Sequence, residues 1–159
     1  MKTLSNGISI IEKYVAMILV LAMAIIVAIA VVFRYVLNAP LSWAGEVSVF
    51  LMIWVSFIGG SLGLKIKSQA AVTILLEYVP VKVQKLMGIV GHILMLLFLV
   101  LMLYYSYQWV LSPGVAFQKS SAILLPMWIP FSAVPIGLTC SAVHLLANFV
   151  EMFREEEAR

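Results

Sequence analysis

Charged residues are missing from four long stretches of this chain, and no other feature restricts its fold as strongly. The stretches cover residues 14–33, 47–64, 86–118 and 120–150, so all 10 Lys and Arg and all 7 Asp and Glu lie between or outside them. A helix of about 20 apolar residues is long enough to cross the hydrocarbon core of a bilayer. The sequence therefore predicts an all-α integral membrane protein with four transmembrane helices in a single domain over residues 1–159.

We expect the four crossings at about residues 14–36, 42–64, 85–110 and 124–150. Turn-forming residues follow the first and third crossings, at Asn38–Pro40 and Ser112–Gly114. The first apolar run continues to Phe33, which is too long for the core of a cleaved signal peptide, so we interpret it as a retained helix. Hydrophobic residues make up 64% of the chain and charged residues 11%, against about 25% charged in soluble domains.

The distribution of Lys and Arg predicts the orientation of these helices, because positive charges concentrate in the cytoplasmic loops of membrane proteins. Only Arg34 and Lys119 lie on the side of the turns that follow the first and third crossings. The other eight lie on the opposite side: Lys2, Lys13, Lys65, Lys67, Lys82, Lys85, Arg154 and Arg159. We therefore expect both termini and the middle loop to be cytoplasmic.

The middle loop has the pattern of a short amphipathic helix over about residues 69–80. Gln69, Thr73 and Glu77 recur every four positions and form one polar stripe, while apolar residues cover much of the rest. This pattern fits a helix that lies in the cytoplasmic interface, with Lys82 and Lys85 reaching anionic lipid headgroups. A helix packed on protein fits it equally well.

Composition and motifs exclude several functions. The net charge of +3 is too small to indicate nucleic-acid binding, and Cys140 is the only cysteine, so the chain predicts neither an intrachain disulfide nor a metal cluster. There is no nucleophile with a base at a recognisable spacing, no phosphate loop and no zinc motif. We expect no enzymatic activity, no metal and no cofactor.

His92 and His144 lie inside the third and fourth apolar stretches at similar distances from the predicted cytoplasmic ends. Two histidines at one depth are what a bis-histidine haem in a membrane anchor of a respiratory complex requires. The favoured interpretation is simpler: each imidazole hydrogen-bonds to a neighbouring helix, for about 1 kcal/mol. A haem-bearing anchor remains an alternative function.

At the predicted outer rim, Arg34 and Glu46 lie across one tight turn. The favoured interpretation is that they pair with each other; otherwise they face a partner subunit or contact a soluble protein outside the membrane. Charged residues near the interface are not costly, so their presence does not require catalysis.

Small residues predict where helices approach closely. Gly59 and Gly63 form a GxxxG pair on the second helix, and Ser56 and Gly60 form a second small pair beside it. On the fourth helix, Pro130, Pro135 and Gly137 predict a bend.

A small stand-alone exporter is a further alternative, but the sequence argues against it. Carriers place ion and substrate sites near the midplane, usually on interrupted helices in two repeats. No carboxylate lies at the midplane, Glu46 is close to the outer surface, and only the fourth helix is interrupted.

Residues 33–46, Phe-Arg-Tyr-Val-Leu-Asn-Ala-Pro-Leu-Ser-Trp-Ala-Gly-Glu, followed by Trp54 and Phe57–Gly60, resemble the signature of the small membrane subunit of tripartite ATP-independent periplasmic (TRAP) transporters. Leu125–Trp128 and Val134–Gly137 are similar to the fourth helix of that family. Many members have a His followed closely by Val-Asp after the second helix. Residues 67–73 lack both the His and the Asp, so no role is carried over to them.

The resemblance implies a division of labour in the bacterial inner membrane. In TRAP systems a periplasmic substrate-binding protein captures an organic acid, of the C4-dicarboxylate or sialic acid type, and a large membrane subunit moves it inward with sodium. The small subunit is then a non-transporting scaffold that braces the large one. By this inference, residues at the outer rim would face the docked periplasmic protein or the large subunit: Arg34, Trp43, Glu46 and Lys119.

Overall fold

The computed structural model describes residues 2–66 and 81–157. The predicted interfacial helix over residues 69–80, with Gln69, Thr73 and Glu77, lies outside the described residues. Within them the chain forms six helices: α1 (Lys2–Tyr35), α2 (Ser42–Lys65), α3 (Val81–Val110), α4 (Pro113–Phe117), α5 (Trp128–Phe131) and α6 (Ala133–Glu157). Between them lies one isolated antiparallel bridge, formed by Lys119 and Pro126, and no strand is found in the described ranges.

Four helical segments are long and apolar enough to cross a membrane: Thr3–Tyr35, Ser42–Lys65, Leu86–Val110 and Trp128–Glu151. The all-α membrane fold with four candidate spanning helices is therefore confirmed. α1 begins at Lys2 and continues through Glu12 and Lys13 without a break, so it is longer than the crossing expected from residue 14. Glu12 is buried at this point, and its contacts explain why the helix stays packed there.

The spanning helices pack in the order α1, α2, α6, α3, so that each of the two central helices contacts a neighbour on both sides. α6 is the most buried of the four, and α1 is the least. Between α6 and α3, the Tyr107 hydroxyl hydrogen-bonds the Thr139 hydroxyl at 3.1 Å, and between α5 and α3 the ring centroids of Phe131 and Trp109 lie 4.6 Å apart. This order leaves long apolar faces exposed on α1 and α3.

The central contact between α2 and α6 depends on Gly137. A Cβ atom at this position would lie 2.7 Å from Phe57 Cβ and 3.0 Å from the carbonyl carbon and oxygen of Phe57. Because these neighbours include backbone atoms, they cannot move aside without separating the helices. Glycine here fixes how closely α6 approaches α2.

The fourth crossing is interrupted at Ser132, which lies between the last residue of α5, Phe131, and the first residue of α6, Ala133. Pro135, which is buried, has no N–H to donate within the first turn of α6. The Ser132 hydroxyl donates to the Ile129 carbonyl oxygen, and the Thr139 hydroxyl donates to the carbonyl oxygen of Pro135, both at 2.6 Å. The bend predicted from the prolines is thus a break between two helices.

Candidate functional site

Glu46 holds the loop that connects α4 to α5. Its carboxylate accepts hydrogen bonds from the backbone N–H groups of Ser121 and Ala122, each at 2.9 Å. Glu46 lies in the second turn of α2, so these bonds tie a helix to a loop about 75 residues further along the chain. Two amide donors on one carboxylate are charge-assisted hydrogen bonds, which are stronger than neutral ones.

The loop itself is built from short backbone bonds over residues 118–127. Ser120 donates its N–H to the Leu125 carbonyl oxygen at 2.9 Å, and Leu125 donates its own N–H to the Ser120 hydroxyl at 3.1 Å. Leu124, at the tip, has a φ of 55°, a left-handed conformation that is unfavourable for a residue with a branched side chain. Its side chain is 68% exposed. The loop therefore presents an apolar residue at its tip from a fixed backbone.

The other predicted rim residues are exposed at the same end of the molecule. Arg34 lies in the last turn of α1, with its guanidinium 5.8 Å from the centre of the Tyr35 ring, Trp43 begins α2, and Lys119 lies at the base of the loop. The described residues form no ion pair between Arg34 and Glu46, so that pairing is wrong. The loop amides bond the Glu46 carboxylate instead.

A buried polar cluster lies at the opposite, predicted inner end. His144 on α6 is fully buried, and Glu12 on α1 is 5% exposed. His144 Nε2 lies 2.8 Å from Glu12 Oε2, and its Nδ1 lies 2.7 Å from the Ser5 hydroxyl. The imidazole therefore connects α6 to two successive parts of α1.

Further polar contacts surround this cluster on α2. Lys65 Nζ donates to the Ser5 carbonyl oxygen at 3.2 Å and to the Ser9 hydroxyl. Asn148 on α6 donates to the Leu64 carbonyl oxygen at 2.9 Å. Two buried atoms in the described part of the chain have no hydrogen-bond partner, namely Glu12 Oε1 and the Ser61 hydroxyl.

The two histidines form different hydrogen bonds: His92 bonds within its own helix, and His144 bonds to another helix. His92 Nδ1 donates to the Gly88 carbonyl oxygen at 2.9 Å, within its own helix, and its ring lies 6.2 Å from the Phe149 ring. Both nitrogens of His144 are occupied by Ser5 and Glu12. No nitrogen of His144 is left for iron, so this geometry does not fit a bis-histidine haem.

The small residues of α2 lie on an exposed stripe. Gly59 and Gly60 are exposed, and a Cβ at either position would meet no atom of the described chain within 4 Å. The stripe runs along the whole helix and consists of Gly45, Val49, Met52, Ser56, Gly59, Gly60 and the half-buried Gly63. Unlike Gly137, the stripe residues Gly45, Gly59 and Gly60 have no atom of the described chain within 4 Å of their Cβ positions. Lys82 and Lys85, predicted to flank the interfacial helix, belong to the first turns of α3.

Two cavities open between α1 and α2, and both are lined mainly by apolar side chains. One, of about 430 Å³, lies between the two helices, the loop and α5, with Trp54, Ile123 and Pro130 among its lining residues. The other, of about 480 Å³, is lined by α1 residues and Leu62, and Lys13 is its one charged residue.

Glu12 is the buried polar residue that the sequence analysis missed. It was not counted among the groups inside the membrane because it precedes the first charge-free stretch by two residues. A signal was present: Ser5, Ser9 and Glu12 are spaced at i, i+4 and i+7, which places them on one face of a helix. The chain therefore does contain a buried carboxylate, and this carboxylate is hydrogen-bonded to His144.

Comparison with known proteins decides the family. The model of the family described as tripartite ATP-independent periplasmic transporters, DctQ component, matches residues 23–155. The chain belongs to this family. It is therefore a multi-pass inner-membrane subunit of a TRAP transporter, and it is not an enzyme.

Curated relatives of this DctQ-family subunit agree. It is 26% identical over 164 residues to the C4-dicarboxylate TRAP transporter small permease protein DctQ of Vibrio cholerae, covering 86% of this chain and 68% of that protein. It is 30% identical over 117 residues to a TRAP transporter small permease protein of Haemophilus influenzae, covering 74% and 66%.

A third relative is much longer. The isethionate TRAP transporter permease protein DctMQ of Oleidesulfovibrio alaskensis is 26% identical over 140 residues, which cover 84% of this chain but only 22% of that protein. This DctQ-family subunit thus corresponds to about a fifth of that permease.

Proposed function

We propose that this chain is the small, non-transporting scaffold subunit of a sodium-coupled, binding-protein-dependent TRAP transporter that imports an organic acid. The exposed stripe along α2 carries the proposal, because it is a surface suited to close helix contact that residues 2–66 and 81–157 leave unfilled. The proposed occupant is a helix of the large membrane subunit. The DctMQ relative supports that partner, since there the region similar to this chain is 22% of a single longer permease.

The polar groups of the chain support a role without a transport site. An organic anion needs cationic or hydrogen-bonding groups that converge on a cavity. Both described cavities are predominantly apolar, and the buried Glu12 and His144 bond to each other rather than to an open space. Binding of the organic acid and of sodium is therefore assigned to the partner subunits.

The outer rim is the proposed contact region for the periplasmic substrate-binding protein. Lys119 is exposed at the base of a loop that Glu46 holds in place, and Arg34 and Trp43 are exposed nearby in sequence at the α1–α2 turn. Glu46 enters this proposal as the residue that positions the loop. The proposed orientation has both termini in the cytoplasm, as the Lys and Arg distribution predicts.

The proposed substrate is an organic acid of the C4-dicarboxylate or sialic acid type. Two of the relatives are named for organic anions, isethionate and C4-dicarboxylates. Calorimetry of the isolated chain with such acids should give no binding heat. Saturable binding of an organic acid by this chain alone would contradict the scaffold role.

Co-purification with the large subunit tests the scaffold contact directly. Gly59→Leu places a large side chain on the α2 stripe and should lower the recovered large subunit about tenfold, equivalent to about 1.4 kcal/mol. Gly91→Leu is the matched control, because Gly91 is half-buried on α3 but, like Gly59, has no atom within 4 Å of its Cβ position. Equal recovery with both variants would exclude the α2 stripe as the contact surface.

A further inference from the structure

Lys13 lies where α1 changes from a polar to an apolar helix. From Lys13 the helix continues through residues 14–33 without another charged side chain, and the next charge is that of Arg34. At 1.5 Å per residue, Lys13 and Arg34 are about 32 Å apart along the axis, close to the thickness of about 30 Å of the hydrocarbon core. The exposed Lys13 side chain is therefore at the level where the hydrocarbon of one leaflet meets its headgroups.

The ammonium group of Lys13 is not used in the packing of the described helices. Its neighbour in sequence, Glu12, directs its carboxylate to His144 on α6. Lys65, at the same end of the molecule, donates to Ser5 and Ser9 on α1. Within residues 2–66 and 81–157, Lys13 makes neither an ion pair nor a hydrogen bond of this kind. Its three N–H donors therefore remain available for an anionic group.

An apolar groove of about 480 Å³ begins at Lys13 and runs along α1 toward the middle of the span. One face of α1 and Leu62 of α2 line this groove. The lining residues that follow Lys13 on α1 recur at the spacing of one helix face: Ala16, Met17, Val20, Leu21 and Ala24. Lys13 is the charged residue among them, so the groove has a cation at one end and apolar walls along its length.

The length of the groove matches one leaflet of a bilayer. Lys13 and Ala24 are about 16 Å apart along the axis of α1, which is about half the thickness of the hydrocarbon core. A spanning helix of a partner would need a groove that crosses both leaflets. A phospholipid has an acyl chain within one leaflet and a phosphate at the headgroup level. The groove and Lys13 therefore match two parts of one phospholipid.

We propose that this groove binds one phospholipid with a negatively charged headgroup, with its phosphate on Lys13 and one acyl chain along α1 as far as Ala24. In a zwitterionic headgroup an ammonium already compensates the phosphate, so Lys13 favours a headgroup with a net negative charge. The acyl chain gains van der Waals contacts in the groove, because other lipid tails are as apolar as its walls. The site is independent of the proposed function, since none of its lining residues belongs to the α2 stripe. The lipid would cover part of α1, the least buried of the spanning helices.

Titration of the full-length chain with phosphatidylglycerol, followed by native mass spectrometry, tests the charge at the site. One phosphatidylglycerol should bind more tightly than the rest, and Lys13→Gln should weaken its binding about fivefold, whereas Lys13→Arg should retain it. Arg34→Gln is the matched control, because Arg34 is an exposed cation at the other end of the same apolar run, and it should leave this binding unchanged. Equal losses in Lys13→Gln and Arg34→Gln would overturn the proposal. So would equal affinities for phosphatidylglycerol and phosphatidylcholine.

A substitution in the groove itself tests the acyl chain. Ala24→Phe keeps Lys13 and should weaken phosphatidylglycerol binding about threefold, because the ring takes the place of part of the chain. Ala28→Phe is the matched control: Ala28 is also exposed on α1, one turn further along and outside the groove lining, and its replacement should leave binding unchanged. Wild-type binding by Ala24→Phe would mean that Lys13 attracts headgroups without a groove site, which contradicts the proposal. Displacement of the lipid when the large subunit is added would contradict it as well, because the groove would then be covered by protein.

Discussion

Glu12 and Glu46 lie at opposite ends of the molecule and are bound in different ways. Glu12 is buried and hydrogen-bonds to the side chain of His144 on another helix. Glu46 is half-buried and accepts from two backbone amides, which do not titrate. The same side chain therefore connects helix to helix at one end and helix to loop at the other.

The difference lies in what each contact costs when it is lost. Removing one partner of a buried charged pair leaves the other uncompensated, which costs about 3–5 kcal/mol. At the outer end, water can replace lost hydrogen bonds to the loop amides, so losing the Glu46 contact costs less than losing the buried one. We expect the inner contact to control whether the helices stay together and the outer contact to control the shape of one loop.

The largest expected effect follows from removing His144. His144→Ala should destabilise the chain by about 3 kcal/mol, or about 10 °C in thermal midpoint, because it removes both bonds to α1 and leaves Glu12 alone. His92→Ala is the matched control at a similar depth, and it should cost about 1 kcal/mol or less because its bond lies within α3. Similar losses of stability in the two variants would mean that the contact between His144 and Glu12 stabilises the chain no more than the bond of His92 does.

A smaller effect is expected at Gly137, which lies on α6 between the two ends. Gly137→Ala should destabilise the chain by about 2 kcal/mol, because the added Cβ would meet the backbone of Phe57 at 3.0 Å. Gly59→Ala should leave the stability of the isolated chain nearly unchanged, because nothing lies within 4 Å of its Cβ position. The measurement is the thermal midpoint of each variant, compared with that of the wild-type chain. A neutral Gly137→Ala would show that the α2–α6 contact can relax.

The sequence predicted the four spanning helices because apolar composition over about 20 residues is a property of each segment alone. The family resemblance also came from contiguous residues, 33–60, and the family match confirmed it. The break near Pro130 and Pro135 was predictable for the same reason, since proline acts on its own helix. These features need no knowledge of which helices are neighbours.

Contacts between helices were not predictable in the same way. Glu12 and His144 are separated by 132 positions, and their pairing depends on the packing order α1, α2, α6, α3. The wrong pairing of Arg34 with Glu46 arose because sequence proximity favoured the nearer cation, whereas the loop amides of Ser121 and Ala122 lie closer in space. Likewise, the sequence could not tell that Gly137 packs within the chain while Gly59 stays exposed.

The smallest expected effect on overall stability, and the most local one, belongs to Glu46. Glu46→Ala should speed hydrogen exchange at the Ser121 and Ala122 amides about tenfold, because each amide loses a charge-assisted hydrogen bond. The thermal midpoint should change by less than about 3 °C, since the loop is exposed and the helices keep their contacts. Glu46→Gln retains one acceptor oxygen and should give an intermediate exchange rate at one amide.

Uptake by cells that carry the complete transporter connects this loop to the proposed function. Glu46→Ala should reduce uptake while the chain still inserts into the membrane, because the loop loses the shape that its partner contacts. Lys119→Ala is the complementary variant: it leaves the Glu46 bonds intact and should not alter exchange at Ser121 or Ala122. If Lys119→Ala lowers uptake without changing exchange, the loop surface itself is in contact with a partner. Wild-type uptake by Glu46→Ala, despite faster exchange, would restrict the role of Glu46 to local structure.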